Sequence, residues 1–176
     1  MTRRSLLVGW LAVVVVLALI GLAASAAEAP QKARAFMTGD QQVPPSDTLA
    51  LGYALFTPNA DMTKVHFRVT VANISDVTAA HLHLGRAGED GPPVVNLFTG
   101  PAKEGRFDGV LAEGDFGAGD LMGSLQGKTL KELWGMVREQ RLYVNVHTDA
   151  HPEGEIRGQM MLVPRPEPLK PPPLGG

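Results

Sequence analysis

The chain has 176 residues, no cysteine and a formal net charge of −2 at pH 7. This length accommodates one ordinary domain with appendages, and the lack of cysteine excludes disulfides, thiolate metal sites and cysteine nucleophiles. The slightly acidic balance, without a run of like charge, argues against a nucleic-acid partner, because phosphates require a basic surface.

The N-terminus predicts an export signal over residues 1–26. Two arginines precede an apolar run over residues 6–22, and residues 24–26 have the small-x-small pattern of a signal-peptidase site. Cleavage there would leave a short linker, residues 27–33. The alternative is an uncleaved membrane anchor over residues 6–24, because the run approaches the roughly 20 residues that span a bilayer. The arginine pair also resembles the twin-arginine motif, and every interpretation predicts a periplasmic or extracellular domain. Contact with a membrane is expected only through this segment.

Residues 34–163 alternate short apolar-patterned runs with turns rich in glycine, proline and aspartate. Strands at this spacing predict an all-β domain, an antiparallel Greek-key sandwich or barrel. Inside one run Val65, Phe67, Val69 and Val71 share a face, which places His66 on the polar face. The predicted strands are 33–39, 49–56, 64–73, 78–85, 93–98, 105–112, 141–148 and 154–163.

One segment, residues 128–139, has the periodicity of a helix. Leu130, Leu133, Trp134 and Val137 recur at i, i+3, i+4 and i+7. Thr129 stands three residues before a glutamate, the spacing of a capping box. We expect a short helix that covers one edge of the sheet.

The C-terminal residues 164–176 contain six prolines. Such a segment cannot join a sheet ladder and has little to bury, so we expect an extended, disordered and solvated tail.

Histidines in two of the predicted strands form a candidate metal site. His81 and His83 project to the same face of their strand, because residues i and i+2 do. Two histidines on the solvent face of a strand would have the same pattern. His147 shares a face with Tyr143 and Asn145, and it would complete a three-imidazole site if the two strands are neighbours. Imidazoles without thiolates suit copper, with zinc as the alternative.

Four nearby residues are candidates for roles around this site. His151, in a turn, is either a fourth, movable ligand or a turn residue in water. Asp149 or Glu155 could orient a ligand imidazole. Glu155 and Arg157 share a strand face and are expected to form a structural ion pair, with each other or with neighbouring strands.

Several motifs in this order resemble the CHRD domain, the module named after chordin. They are GDQQVPP, TAAHLHLG with GPPVVNLF, TLKELWGMV and LYVNVHTDAHPEGEIRGQM, and the resemblance extends from about Ala35 to Leu162. The resemblance implies a β-rich extracytoplasmic module of the kind found in secreted bacterial proteins. Its pattern, in which residue 151 is not ordinarily histidine, is matched here by His81, His83, Asn145, His147, Thr148, Pro152, Gly154, Glu155, Arg157 and Gly158.

A looser similarity is to copper/zinc superoxide dismutase, which also has a His-x-His strand and a later strand histidine on copper. This chain lacks that enzyme's bridging histidine, zinc-site run and disulfide cysteines. The likeness supports copper at a three-histidine site more than it supports dismutation.

Three functions are compatible with these features. The first is an extracytoplasmic protein that binds copper through His81, His83 and His147. The second is a metal-free structural or protein-interaction module whose histidines hydrogen-bond to turn backbone. The third is a copper-dependent oxidoreductase of the superoxide dismutase type. The sequence favours a binding role over catalysis and does not identify a protein partner.

Overall fold

The computed structural model describes residues 29–166. The predicted signal or anchor segment and most of the proline-rich tail lie outside the described residues. The strands are β1 (Ala33–Met37), β2 (Leu51–Pro58), β3 (Lys64–Leu84), β4 (Pro93–Phe98), β5 (Lys103–Gly117), β6 (Leu142–Thr148), β7 (Ile156–Gln159) and β8 (Met161–Leu162), with helix α1 (Leu130–Arg138) between β5 and β6.

The strands form one antiparallel sheet that is nearly closed into a barrel. The neighbours run in the order β7-β6-β3-β2-β1-β8, and β4 and β5 also pair with β3. Only Met160 separates β7 from β8, so the two ends of this order are consecutive in the chain. A bridge between Thr38, which directly follows β1, and Arg157 of β7 also links the two sides of the sheet. The predicted all-β fold with one helix is confirmed.

The longest strand, β3, corrects the prediction of two strands at 64–73 and 78–85. The turn-like residues between them form bulges inside one continuous strand, with register shifts against β5 between Val71 and Ile74 and between Ser75 and Val77. Asn73 and Asp76 have φ of 55° and 52°, which asparagine and aspartate tolerate better than most residues. Each bulge adds an unpaired residue and bends the strand without ending it. The single strand can therefore pair with β2 and β5 in its first part and with β4 and β6 in its second.

Side-chain periodicity places the core as predicted. The alternating apolar residues of early β3 are buried, and the side chain of His66 is half exposed beside Asp115 and Glu113. Helix α1 buries the four residues of its predicted apolar face and packs against β8. Thr129 caps it, accepting from the backbone N–H of Glu132, whose carboxylate accepts in turn from the backbone N–H of Thr129. The helix and its capping box are confirmed.

The folded domain begins slightly before the predicted boundary. The indole N–H of Trp134 donates to the carbonyl of Gln31 at 2.9 Å, and the amide of Val163 donates to the carbonyl of Lys32 at 2.8 Å. The last residues of the predicted linker 27–33 therefore pack with the barrel. Within residues 29–166, no helix has the length and apolar character needed to cross a membrane.

Candidate functional site

Pairing of β3 with β6 brings the three predicted histidines together. The register aligns Ala79 with His147 and His81 with Asn145. His83 follows His81 on the same face of β3. Each of the three imidazoles offers a ring nitrogen such that the three atoms lie within 4.8 Å of one another. The condition on which the predicted site depended, that the two strands are neighbours, is met.

The distance between two of these rings matches that of two ligands on one ion. The Nδ1 atom of His81 lies 3.2 Å from the Nε2 atom of His147. Two nitrogens bound at about 2.0 Å in tetrahedral geometry are about 3.3 Å apart. These two atoms therefore have a ligand-like spacing, and His83, whose ring centroid is 5.7 Å from each of the other two, approaches from the buried side.

Backbone carbonyls set the tautomers of two rings. The Nδ1–H of His83 donates to the carbonyl of Gly91 at 2.8 Å, and the Nδ1–H of His147 donates to the carbonyl of Pro152 at 2.9 Å. Because a carbonyl only accepts, each Nδ1 carries the proton and each neutral ring keeps its lone pair on Nε2. His81 then donates from Nδ1 to His147, and it would have to move that proton to Nε2 in order to bind a cation through Nδ1.

One nitrogen of the cluster lacks a partner. The Nε2 atom of His83 is buried and has no hydrogen-bond partner among the described residues. A buried polar atom without a partner costs about 1–3 kcal/mol, so native structures seldom keep one without a reason. A cation bound at this lone pair would supply the missing interaction. The donor set therefore fits a metal ion.

The electrostatic environment keeps the cluster neutral. Burial lowers the pKa of His81 to about 4, and the neighbouring His147 and His83 add to the effect. Burial is also the largest cause of the lowered pKa values of His83 and His147, although their carbonyl partners act in the opposite direction. Unprotonated imidazoles are the form that binds metals.

A stack of side chains supports His83 from behind. The ring of Tyr143 stacks on the His83 ring, with 5.0 Å between centroids and 22° between the ring planes, and the guanidinium of Arg157 lies 3.4 Å from the Tyr143 centroid. Arg157 is almost fully buried and donates to the carbonyls of Arg86 and Glu89 at 2.7 and 2.8 Å. It thus fixes the loop that carries the carbonyl of Gly91.

Glu155 and Arg157 do not pair with each other, which was one of the two arrangements that the sequence left open. Arg157 instead pairs with Asp90 at 3.3 Å. The two carboxylate oxygens of Glu155 accept hydrogen bonds from the hydroxyls of Thr48 and Thr148, each at 2.7 Å. Hydroxyls satisfy this buried carboxylate, which therefore braces β6 against the loop before β2.

The other predicted neighbours also hold loops and do not orient imidazoles. Asn145 accepts from Gln42 at 2.5 Å and donates to the carbonyl of Glu153 at 3.0 Å. The side chain of Asp149 is exposed, and its backbone N–H donates a hydrogen bond to the carbonyl of Asp76. The partners of the His83 and His147 imidazoles are the backbone carbonyls of Gly91 and Pro152, and not the carboxylates of Asp149 or Glu155. His151 lies outside the three-histidine group, and its backbone closes the turn after β6.

Sequence reasoning missed Gly91, whose carbonyl holds His83 and whose amide donates to the Tyr143 hydroxyl at 3.1 Å. A Cβ at this position would overlap the carbonyl oxygen of Leu84 and lie 2.8 Å from its carbonyl carbon. Only glycine allows the loop to return this close to the end of β3. The glycine-proline pair after the charged loop predicted a turn, but nothing in the sequence indicated that the loop would contact the end of β3.

Comparison with known proteins supports the family indicated by the motifs. Residues 33–160 match the family model of the CHRD domain. Neither the curated proteins nor the solved structures give a match to this chain. The matched region contains all of β1–β7, helix α1 and the three histidines. The chain belongs to the CHRD domain family.

Proposed function

We propose that this CHRD domain binds one copper ion through His81, His83 and His147, and that it acts outside the cytoplasm. The observation that carries the proposal is the convergence of three imidazole nitrogens within 4.8 Å, one of them buried without a partner. At a site of given ligands copper(II) binds more tightly than zinc, and no thiolate is present to favour zinc. Copper would supply one-electron chemistry at a position where three protein ligands leave room for a further ligand.

The test is a calorimetric copper titration of the metal-free protein, with electron paramagnetic resonance of the loaded form. We expect one copper per chain and hyperfine splitting from nitrogen ligands. His83→Ala and His147→Ala should each weaken binding by at least about a hundredfold, beyond the 10–100-fold range typical of residues that only support ligands.

Two other histidines provide matched controls. His66→Ala removes an exposed imidazole that pairs with Asp115 and lies outside the three-histidine group, and His151→Ala removes the turn histidine outside the group. Both variants should retain the wild-type affinity. Equal copper binding by wild type and by the His83→Ala/His147→Ala double variant would refute the proposal. Loss of binding in His151→Ala alone would add a fourth ligand.

The choice between copper and zinc needs its own measurement. Elemental analysis of protein purified from its native compartment reports the metal that the cell supplies, because availability can reverse the affinity order. Copper in near-stoichiometric amount supports the proposal, whereas zinc alone would assign the same three histidines to zinc.

A second candidate, a metal-free interaction module, is favoured by the two carbonyl hydrogen bonds. His83 and His147 already fasten the loops at Gly91 and Pro152 without any ion. In that case His83→Ala would lower stability, and neither copper nor zinc would change the thermal unfolding of the wild-type protein. A bound metal would instead raise the unfolding temperature, by an amount that grows with the logarithm of the ratio of metal concentration to dissociation constant.

A further inference from the structure

A buried positive charge lies behind the histidine whose ring nitrogen has no partner. The guanidinium of Arg157 lies 3.4 Å from the centroid of the Tyr143 ring, and that ring stacks on the imidazole of His83. Strand β6, which carries Tyr143, lies between β3 and β7 in the sheet. A single aromatic ring therefore separates the cation from the imidazole. Arg157 is 1% exposed, so water does little to screen its charge.

The charge of Arg157 is only partly balanced by its partners. Two of them are the backbone carbonyls of Arg86 and Glu89, which accept hydrogen bonds but carry no net charge. The third is the carboxylate of Asp90 at 3.3 Å, and its side chain is 65% exposed. Because water screens an exposed charge more strongly than a buried one, Asp90 acts on the interior less than Arg157 does. The side of the histidine cluster next to the tyrosine ring therefore has a positive potential.

The carboxylates next to β6 do not offset this potential from within the protein. Asp149 and Glu153 are exposed. Glu155 is buried, but its carboxylate accepts from the hydroxyl of Thr148. Thr148 directly follows His147 in β6, so the two side chains point to opposite faces of the sheet. The buried charge stacked against the cluster is therefore that of the arginine.

The donor set itself is neutral. His81, His83 and His147 bind a cation in their uncharged form, and no carboxylate belongs to the three-histidine group. A bound copper ion would therefore keep its full charge, and the repulsion from a fixed cation is twice as large for copper(II) as for copper(I). We propose that Arg157, through this repulsion, raises the preference of the site for copper(I) over copper(II). The inference rests on the proposed copper site and gives the charge of Arg157 a role beyond holding the loop.

Coulomb's law gives the expected size of the effect. Two unit charges about 10 Å apart, at an effective dielectric constant of about 20, change an equilibrium constant by roughly tenfold. Copper(I) and copper(II) differ by one unit of charge, so this factor applies to the ratio of their affinities. A purely mechanical role of Arg157 would instead change both affinities together and leave their ratio constant.

The test measures the two affinities separately on the full chain. Copper(I) affinity is measured without oxygen by competition with bicinchoninate, and copper(II) affinity by calorimetric competition with glycine. In Arg157→Gln the ratio of copper(I) to copper(II) affinity should fall about tenfold, which corresponds to a reduction potential lower by about 59 mV. Arg157→Lys is the matched control, because it loses the planar stack but retains a positive charge beside Asp90. Both affinities of this control should fall while their ratio stays at the wild-type value.

A second variant tests the same potential at an exposed position. Asp90→Asn removes the carboxylate that partly balances Arg157, so the ratio should rise by about two- to threefold, the range of exposed charge pairs. Asp61→Asn is its matched control, because it removes an exposed carboxylate from the turn before β3. The ratio in this control should equal that of the wild type.

The outcomes separate the role of Arg157 from the copper site. An unchanged ratio in Arg157→Gln, or an equal fall in the glutamine and lysine variants, would overturn the electrostatic role while the copper site stands. If Arg157→Gln does not fold, an unchanged ratio in Asp90→Asn would overturn that role equally. Wild-type protein that binds copper in neither oxidation state would refute the proposed function, and this inference with it.

Discussion

Replacement of Gly91 by alanine tests how the loop after β3 holds the histidine site. The new Cβ would overlap the carbonyl of Leu84, so the loop must move away from the strand end. Three hydrogen bonds depend on the present position: Leu84 N–H to Pro92 O at 3.1 Å, Gly91 N–H to the Tyr143 hydroxyl at 3.1 Å, and His83 Nδ1–H to Gly91 O at 2.8 Å.

Each of these bonds contributes about 1 kcal/mol net, so Gly91→Ala should lower the free energy of unfolding by about 3 kcal/mol. For a domain of this size that corresponds to a fall of roughly 10 °C in the unfolding temperature. The assay is thermal unfolding of the metal-free protein, followed by circular dichroism. The same variant should weaken copper binding by about 10–100-fold, because His83 loses the carbonyl that orients it.

Gly135→Ala is the matched control. Apart from its chain neighbours and the backbone of its own helix, no described atom lies within 4 Å of a Cβ at this position, and alanine is better than glycine in a helix by about 1 kcal/mol. This variant should therefore unfold at a higher temperature than the wild type and bind copper equally. An unfolding temperature of Gly91→Ala within about 2 °C of the wild type would refute the assigned role of the loop contact.

Four further predictions follow from the structure. Copper binding should persist below pH 6.5 and fail only as the pH approaches about 4, the lowered pKa of His81. Calorimetric titrations in which the copper affinity is already halved near pH 6.5 would contradict this. In the metal-free protein the free energy of unfolding should fall from pH 6.5 towards pH 4, because His81 takes up a proton in the unfolded chain at a pH where it stays neutral in the folded protein. Denaturant unfolding at several pH values should show a smaller fall for His81→Gln than for the wild type. Arg157→Lys keeps the charge but loses the planar stack on Tyr143 and the two hydrogen bonds to backbone carbonyls. Copper affinity should therefore fall about 10–100-fold, with changed electron paramagnetic resonance parameters of the bound copper. An unchanged spectrum would show that the stack does not affect the site. Thr129→Ala should cost about 1 kcal/mol of stability by chemical denaturation and leave copper binding intact.

Local periodicity alone predicted much of this protein. Alternation along β3 identified its buried face and the exposure of His66, and 3.6-residue spacing with Thr129 identified helix α1. The shared face of His81 and His83 likewise follows from the geometry of any strand. These features depend on residues within a few positions of one another, so the order of side chains along the chain is sufficient to determine them.

Tertiary structure decided everything that joins distant segments. His147 reaches His81 across 66 positions because β6 pairs with β3 in one register, and a shift by one residue would turn the imidazole to the other face. The carbonyl partners of the rings and the engagement of Arg157 with Asp90 come from loops whose paths no side-chain pattern encodes. The fusion of two predicted strands into β3 has the same origin, because a bulge and a turn use the same residue types and only pairing with β5 distinguishes them.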